Sequence, residues 1–368
     1  TTEIYPLSLH DALPICDENF AHYRISITLF ASIQCILRKM EPSGENLEKR
    51  VRRHVLSREH VFLAVAQPAF RSILRGELEE LGFRPGEDTD GGVEFSGRLT
   101  EGWRANLLLR TASRIYCRNL DCRAGAREEL FRKAAAFPGE LWLDRSVPIR
   151  MASRVRDSRI RHEGEAAETL REAAARRFSE RGQIPPPAAG PETGAPVQRV
   201  LLRIVDNRCR VSLDMSGDAL CNRGYRLENA GAPLREDLAA ALLRALVTGP
   251  GLVVDGMTGS GTLAVEAASW FAGSAPGGGR DFAFHRWPSF REAAFRHLAD
   301  GFGCSGPGIP VVACDIDAGA LAVAVRNAER AGIADRVRFL GRDFLGITGD
   351  AARGERRSAE RRVGKEGR

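Results

Sequence analysis

The chain has 368 residues, 43% of them hydrophobic and 28% charged, which is the composition of an ordinary folded protein and excludes disorder along its whole length. Its longest apolar stretch, residues 25–37, is too short and too polar to span a bilayer, and the acidic residues before it do not make a secretory leader, so the cytoplasm is the default compartment. Eight cysteines without any C-x-x-C pair fit neither a disulfide framework nor a zinc site, and they read as mostly buried thiols, with no metal expected. The net charge of +6 is not made by the ends, because the acidic residues 1–20 offset the basic residues 351–368. The excess lies in two arginine-rich stretches, 104–133 and 145–161. Arginine with little lysine suits phosphate, because the guanidinium donates paired hydrogen bonds; a solvated surface from an arginine-rich composition is the plainer reading.

Residues 1–16 and 357–368 have neither helical nor strand period and read as non-native ends, with 1–58 an N-terminal extension and 349–368 a tail. From Val61 the pattern sharpens. A short strand ends at Pro68, a helix follows over 69–81 and Gly82 closes it. The Gly- and Asp-rich 86–92 predicts a turn, 93–97 a strand, and 103–120 a helix carrying Arg104, Arg110, Arg114 and Arg118. This order suggests a split βαβ unit over 59–120. A helix over 128–136, a β-like stretch over 141–155 and a helix over 163–177 make a second unit, 121–181. The Pro- and Gly-rich 182–198 reads as a linker and is expected to mark the domain boundary.

Beyond it, alternation around Asp206 and Asn207 predicts a hairpin, and 234–246 a helix. Strands at 252–255, 311–317 and 337–340 alternate with helices at 262–272 and 318–330, the pattern of a parallel, doubly wound α/β sheet over 199–348. The run DGMTGSGTLAVEAA (255–268) places Gly259 and Gly261 between a strand end and a helix start, where backbone can approach a ligand closely. Because these glycines with Ala264 also satisfy G-x-G-x-x-[GA], the motif alone leaves a dinucleotide and S-adenosylmethionine both open. Two further strand ends carry acids: Asp315 and Asp317 suited to ribose hydroxyls, Asp343 to an adenine amino group. Asp315 lies 54 residues past Gly261 rather than the usual spacing of about 20 for a dinucleotide site, which points to an insertion between them.

Taken in order over residues 60–346, the segments AQPAFRSILRGELEELGF (66–83), GGVEFSG (91–97), RANLLLRTASRI (104–115), SRVRDSRIRHEGEAAE (153–168), SLDMSGDALCNRGYR (212–226), APLREDLAAALL (232–243), DGMTGSGTLAVEAA (255–268), FAFHRWPSF (282–290) and DIDAGALAVAVRNAERAG (315–332) resemble the THUMP-domain RNA guanine-N2 methyltransferases. Within that group the bacterial large-subunit (23S) ribosomal RNA enzymes are the most similar. The resemblance implies a ferredoxin-like and a THUMP RNA-binding domain ahead of a Rossmann-type class I methyltransferase domain, cut after about three strands. It implies S-adenosylmethionine as cofactor, with Asp255, Gly259 and Gly261, and Thr258 between them, at the methionine and ribose end, Asp315 at the ribose and Asp343 at the adenine. It further implies RNA as partner, 23S ribosomal RNA ahead of transfer RNA, held by Arg110, Arg114, Arg154, Arg156, Arg159 and Arg161.

The sequence departs from the family pattern at Gly256, where proline is usual, which is expected to loosen the loop. The family's Asn(or Asp)-Pro-Pro-aromatic tetrapeptide does not occur in it either. In that motif oxygens take the protons of a weakly nucleophilic amine while a ring stacks on the base, so this chain alone is expected to be inactive. A non-catalytic RNA-binding module and, more weakly, an NAD-dependent oxidoreductase stay open as alternatives. His162 reads either as an RNA contact or as a helix-start residue. His285 with Trp287 and Phe290 reads as a pocket cover or a packing cluster, and Arg226 and Arg235 as cofactor contacts or ion-paired caps.

Overall fold

A computed structural model of the chain describes residues 46–190, 196–229, 231, 233–247, 249, 251–302, 306 and 309–346. The expected N-terminal extension up to residue 45, the middle of the linker (191–195) and the tail from 347 lie outside the described residues. The chain divides into two compact units, Thr1–Lys49 and Arg50–Arg368. Of the first, only residues 46–49, which enter a short helix (Leu47–Val51), are described. Both sheets belong to the second.

Among the described residues the larger sheet has seven strands. β1 (Glu59–Val65) leads through α1 (Arg71–Glu80) to the hairpin of β2 (Arg84–Thr89) and β3 (Gly92–Arg98). Then come α2 (Leu99–Leu108), β4 (Arg114–Arg123), α3 (Arg127–Ala135), β5 (Ile149–Arg156) and α4 (Glu163–Ser179). A final hairpin, β6 (Gln198–Val205) and β7 (Arg208–Asp214), completes the order β2-β3-β1-β4-β7-β6-β5. All neighbours are antiparallel except β5 and β6. Burial alternates along β6, with Val200, Leu202 and Ile204 inside and Arg199, Leu201, Arg203 and Val205 half-exposed, which is the period of a sheet with one covered face. Phe62, Phe95, Ile115 and Leu213 share the covered face, on which the helices pack.

Four expectations need correction. The helix expected over 103–120 stops at Leu108, and 114–123 is a strand. Ile115 and Cys117 are fully buried while Arg114, Tyr116 and Arg118 are only half-buried, and pairing with β1 on one side and β7 on the other fixes this alternation. Arg104, Arg110, Arg114 and Arg118 therefore share no helix face. The turn expected over 86–92 is mostly edge strand β2, bulged between Pro85 and Asp88, and the β-like 141–155 narrows to Ile149–Arg156. The boundary expected at 182–198 does not separate one sheet from the other. The hairpin forms as read, with Asp206 and Asn207 at φ +51° and +60°, but β7 pairs with β4, so it completes the N-terminal sheet.

The smaller sheet is parallel, in the order β10-β9-β8. It is built from α5 (Glu236–Leu246), β8 (Val253–Asp255), α6 (Thr262–Phe271), α7 (Glu292–Asp300), β9 (Val311–Asp315), α8 (Ala318–Arg330) and β10 (Val337–Gly341). Leu243, Ala264, Val265, Ala268, Val311, Ala313, Ala328 and Ile333 form its core. The alternation of strands and helices read from the sequence is therefore the observed fold.

The insertion between α6 and β9 forms the aromatic packing cluster that was one of two readings. Phe284 and Phe290 lie 5.9 and 5.6 Å from the Trp103 ring of α2, Trp287 lies 5.7 Å from Trp142, and His285 sits 4.6 Å from Phe290. A buried polar node also ties α6 to the larger sheet's loops. Glu266, 1% exposed, accepts hydrogen bonds from Arg223, Tyr225 Oη (3.0 Å) and Arg110 Nη1 (3.5 Å), while the Arg110 amide donates to Glu77 (2.9 Å).

Candidate functional site

β8 ends in Asp255, and the chain reaches α6 through residues 256–261 with Gly261 at the helix N-cap. Gly259 and Gly261 have φ of +53° and +85°, which favours glycine at both. Gly261 also faces α8, where an added Cβ would lie 2.9 Å from the Ala324 Cβ, whereas a Cβ on Gly259 would meet no atom within 4 Å. One glycine is required by packing and the other opens a space above the loop.

Hydrogen bonds lock this loop to the neighbouring strand. The Thr258 amide donates to the Cys314 carbonyl (2.9 Å), the Thr258 hydroxyl to Asp255 Oδ2 (2.8 Å) and the Gly259 amide to Asp315 Oδ2 (2.8 Å). The Asp317 amide donates to Asp315 Oδ1 (3.0 Å). Each Asp315 oxygen keeps acceptor capacity beyond its one amide, enough for a pair of hydroxyls. Burial pushes the Asp255 carboxyl above the usual range; the Thr258 hydroxyl opposes this shift and nearby Asp315 adds to it. Asp317 is the N-cap of α8, accepting from the Gly319 (2.7 Å) and Ala320 (3.3 Å) amides. Asp343, exposed beyond β10, accepts from the Leu345 amide (3.0 Å).

At Gly256, where proline is usual in the family, an aromatic ring packs on the backbone. The Phe344 ring lies against it, and a Cβ there would sit 2.3 Å from Phe344 Cδ2, so the ring takes the place of a side chain at this turn. Three apolar side chains that sequence reading passed over stand beside the acids. Met257, Ile316 and Leu345 are 87%, 78% and 84% exposed, and with Phe344 they follow the ends of all three strands. Apolar side chains among carboxylates at the carboxyl ends of a parallel sheet suit a nucleoside, whose base is flat and apolar and whose sugar is hydroxylated. The available signal was the single apolar residue between two acids in Asp315-Ile316-Asp317. A nucleoside bearing an amino acid fits this set: open space above Gly259, acceptors at Asp255 and Asp315, and an apolar rim. Arg226 braces the loop from outside, donating to the Leu234 carbonyl (2.6 Å), Glu236 (3.0 Å) and Thr262 Oγ1 (3.4 Å), and Arg235 pairs with Asp237 (2.6 Å). Among the described residues no group of His, Cys, Asp or Glu could hold a metal ion, and no helix is long and apolar enough to cross a membrane.

The six arginines expected at RNA divide into an inner pair and an exposed four. Arg110 is 5% exposed and donates to Glu266, to the Ser269 carbonyl (3.1 Å) and to the Ser274 carbonyl, and burial lowers its pKa to about 10. Arg114 is tied to Asp214 and the Gly217 carbonyl (2.6 Å). The Arg110 guanidinium is held inside the protein, which removes it as a phosphate contact, whereas Arg114 is half-buried with its guanidinium engaged by Asp214. Arg154, Arg156, Arg159 and Arg161 are exposed. Arg159 and Arg161 line a cleft of about 240 Å³ with Arg127, Glu165 and Thr169, and His162, the N-cap of α4, lies beside them.

Comparison with known proteins bears on both regions. Residues 223–356 match the model of the RMKL-like methyltransferase domain, and residues 61–116 that of the RlmL ferredoxin-like domain. The ribosomal RNA large subunit methyltransferase K/L of Allochromatium vinosum is 34% identical over 299 residues, covering 78% of this chain and 40% of that protein. The chain thus spans about two-fifths of the length of the ribosomal RNA large subunit methyltransferases K/L it matches. A Listeria monocytogenes protein inferred to be an N6-adenine-specific DNA methylase superposes with a TM-score of 0.72 at 26% identity, covering 83% of this chain and 80% of the other. SMU.472, an inferred methyltransferase complexed with SAH, gives 0.69 at 27% identity over 80% and 78% of the two chains.

Proposed function

We propose that this chain, whose residues 223–356 match the RMKL-like methyltransferase domain and residues 61–116 the RlmL ferredoxin-like domain, is the RNA-holding and cofactor-holding portion of an S-adenosylmethionine-dependent enzyme that methylates guanine N2 in 23S ribosomal RNA. The carrying observation is the carboxyl edge of the smaller sheet, where the Gly259 loop, two carboxylates and an exposed apolar rim converge. The cofactor, when bound, supplies a methyl group on a sulfonium sulfur. This chain's residues bind and orient it: the backbone at Thr258, Gly259 and Gly261 cradles the amino-acid end, Asp255 offers a carboxylate nearby, Asp315 takes the ribose hydroxyls, and Asp343 with Ile316 and Phe344 meets the adenine. Exposed Arg154, Arg156, Arg159 and Arg161 contact phosphate. With no Asn-Pro-Pro-aromatic tetrapeptide in the sequence, the chain by itself binds both partners without transferring the methyl group.

Calorimetric titration with S-adenosylhomocysteine and with NAD tests this reading. Saturable binding of the first alone, weakened at least about tenfold (about 1.4 kcal/mol) in both Asp315→Ala and Ile316→Lys, is the expected result. Ile316→Lys is the cleaner variant, because Asp315 also holds the loop. NAD binding, or no nucleoside binding by the folded chain, would overturn it.

A further inference from the structure

The face of the larger sheet opposite the helices carries a row of arginines drawn from neighbouring strands. Cross-strand register sets Arg154 of β5 beside Arg203 of β6, Arg203 beside Arg210 of β7, and Arg210 beside Asp121 of β4. Residues directly opposite each other project from the same face, so three arginines stand abreast, Arg154 paired with Glu163 (3.0 Å), Arg203 with Asp90 (3.1 Å) and Arg210 with Asp121 (3.3 Å). Arg199, Arg118 and Arg208 lie on this face too, in register with Arg150, Ser212 and Val205. Like charges side by side oppose sheet formation, so even with their carboxylates these guanidiniums form a surface of predominantly positive charge that suits a polyanion.

The loop joining β2 to β3 reaches onto this surface. Asp90 at its tip pairs with both Arg203 (3.1 Å) and Arg156 (3.5 Å), and a Cβ on neighbouring Gly91 would lie 3.6 Å from Arg203 Nη1 and 3.8 Å from Leu63. These contacts carry the tip of the β2–β3 hairpin, from one end of the sheet, onto the face at β6, the second-to-last strand at the other. The Arg203, Arg210 and Arg199 side chains stay 21–38% exposed within it.

Resting on the RNA reading above, we propose that this arginine-lined face is where the sugar-phosphate backbone of RNA docks, with Arg203 and Arg210 as anchors, and that Asp90 takes a phosphate's place in the free protein. Charge complementarity selects the occupant: planar guanidiniums in a row, each offering paired donors, match successive phosphates rather than a neutral or cationic partner. It adds Arg199, Arg203 and Arg210 to the arginines singled out from sequence, and the sign of the Asp90 effect is particular to it.

The test is fluorescence anisotropy of a labelled RNA hairpin with the full chain over a range of potassium chloride, beside a DNA hairpin of the same sequence. Arg203→Gln and Arg210→Gln should each weaken RNA binding about 3- to 10-fold at about 0.1 M salt and lower the slope of log affinity against log salt by about one. Asp90→Asn should tighten binding about 2- to 5-fold, a gain that misfolding cannot produce, and Arg296→Gln on α7 should change nothing. Unchanged affinity in both arginine variants, weaker binding by Asp90→Asn, or tighter binding of the DNA would overturn the proposal. If the unaltered chain binds no RNA, the RNA reading itself fails and the docking face with it. If Arg203→Gln or Arg210→Gln also loses S-adenosylhomocysteine binding, Asp90→Asn decides alone.

Discussion

Alanine at Gly261 and alanine at Gly259 should fail in different ways, although the residues are two apart in one loop. At Gly261 the substitution forces an L-residue to φ +85°, which costs about 1–2 kcal/mol. It also drives a methyl group to 2.9 Å from the Ala324 Cβ and 3.1 Å from its Cα. The second neighbour is helix backbone and cannot swing aside, so overpacking adds about 1–3 kcal/mol, for a total of about 2–5 kcal/mol. At Gly259 the backbone cost is about 1 kcal/mol at φ +53° and the new methyl meets nothing. It does enter the space assigned to the cofactor. Urea denaturation with calorimetric titration of S-adenosylhomocysteine separates the two: Gly261→Ala loses stability, and Gly259→Ala keeps most of it while losing affinity about tenfold or more. Equal destabilisation by the two, or unaltered affinity in Gly259→Ala, would refute the reasoning.

Three further outcomes are expected. Glu266→Ala leaves the Arg110 and Arg223 guanidiniums buried without their carboxylate and should cost about 3–5 kcal/mol in urea unfolding; a loss under about 1 kcal/mol would show that the node is dispensable. Burial holds His60 below its ordinary pKa of 6.5, although its Nε2 contact with the Val55 carbonyl (2.7 Å) opposes the shift. The unfolded chain therefore takes up the proton first. This contribution to stability is complete above pH 6.5 and declines as pH falls through that value toward the lower folded pKa, so His60→Gln should flatten the acid limb of unfolding midpoint against pH. The Cys209 thiol is pushed up to about 12 by burial, and burial raises Cys117 further; mass spectrometry after iodoacetamide treatment should find both unmodified in the folded protein and alkylated in urea.

The features legible in the sequence were those written in local patterns. Gly259 and Gly261 stand where a strand turns into a helix, and Asp315 ends a run of buried residues, so the glycine loop and the acid that faces it are legible without a partner in view. Asp206-Asn207 likewise announced its hairpin. Which sheet that hairpin joins was not local, because Leu213 pairs with Cys117, almost a hundred residues earlier. The same distance hid the strand at 114–123, whose alternation of buried and half-buried residues only becomes decisive once β1 and β7 flank it. Arg110 was misread because charge counts assign every arginine to the surface, while its carboxylate lies 156 residues on, at Glu266. Conversely, the row of Arg154, Arg203 and Arg210 comes from three separate strands, so no stretch of sequence displays it.

A crystal structure of the chain grown with S-adenosylhomocysteine tests the central claim most directly. The account predicts ligand density between the Gly259 loop, Asp315 and Ile316, with the ribose hydroxyls within hydrogen-bond reach of the Asp315 carboxylate. Ligand bound away from the carboxyl edge of β8, β9 and β10, or an Asp315 carboxylate that makes no contact with the ribose, would contradict it.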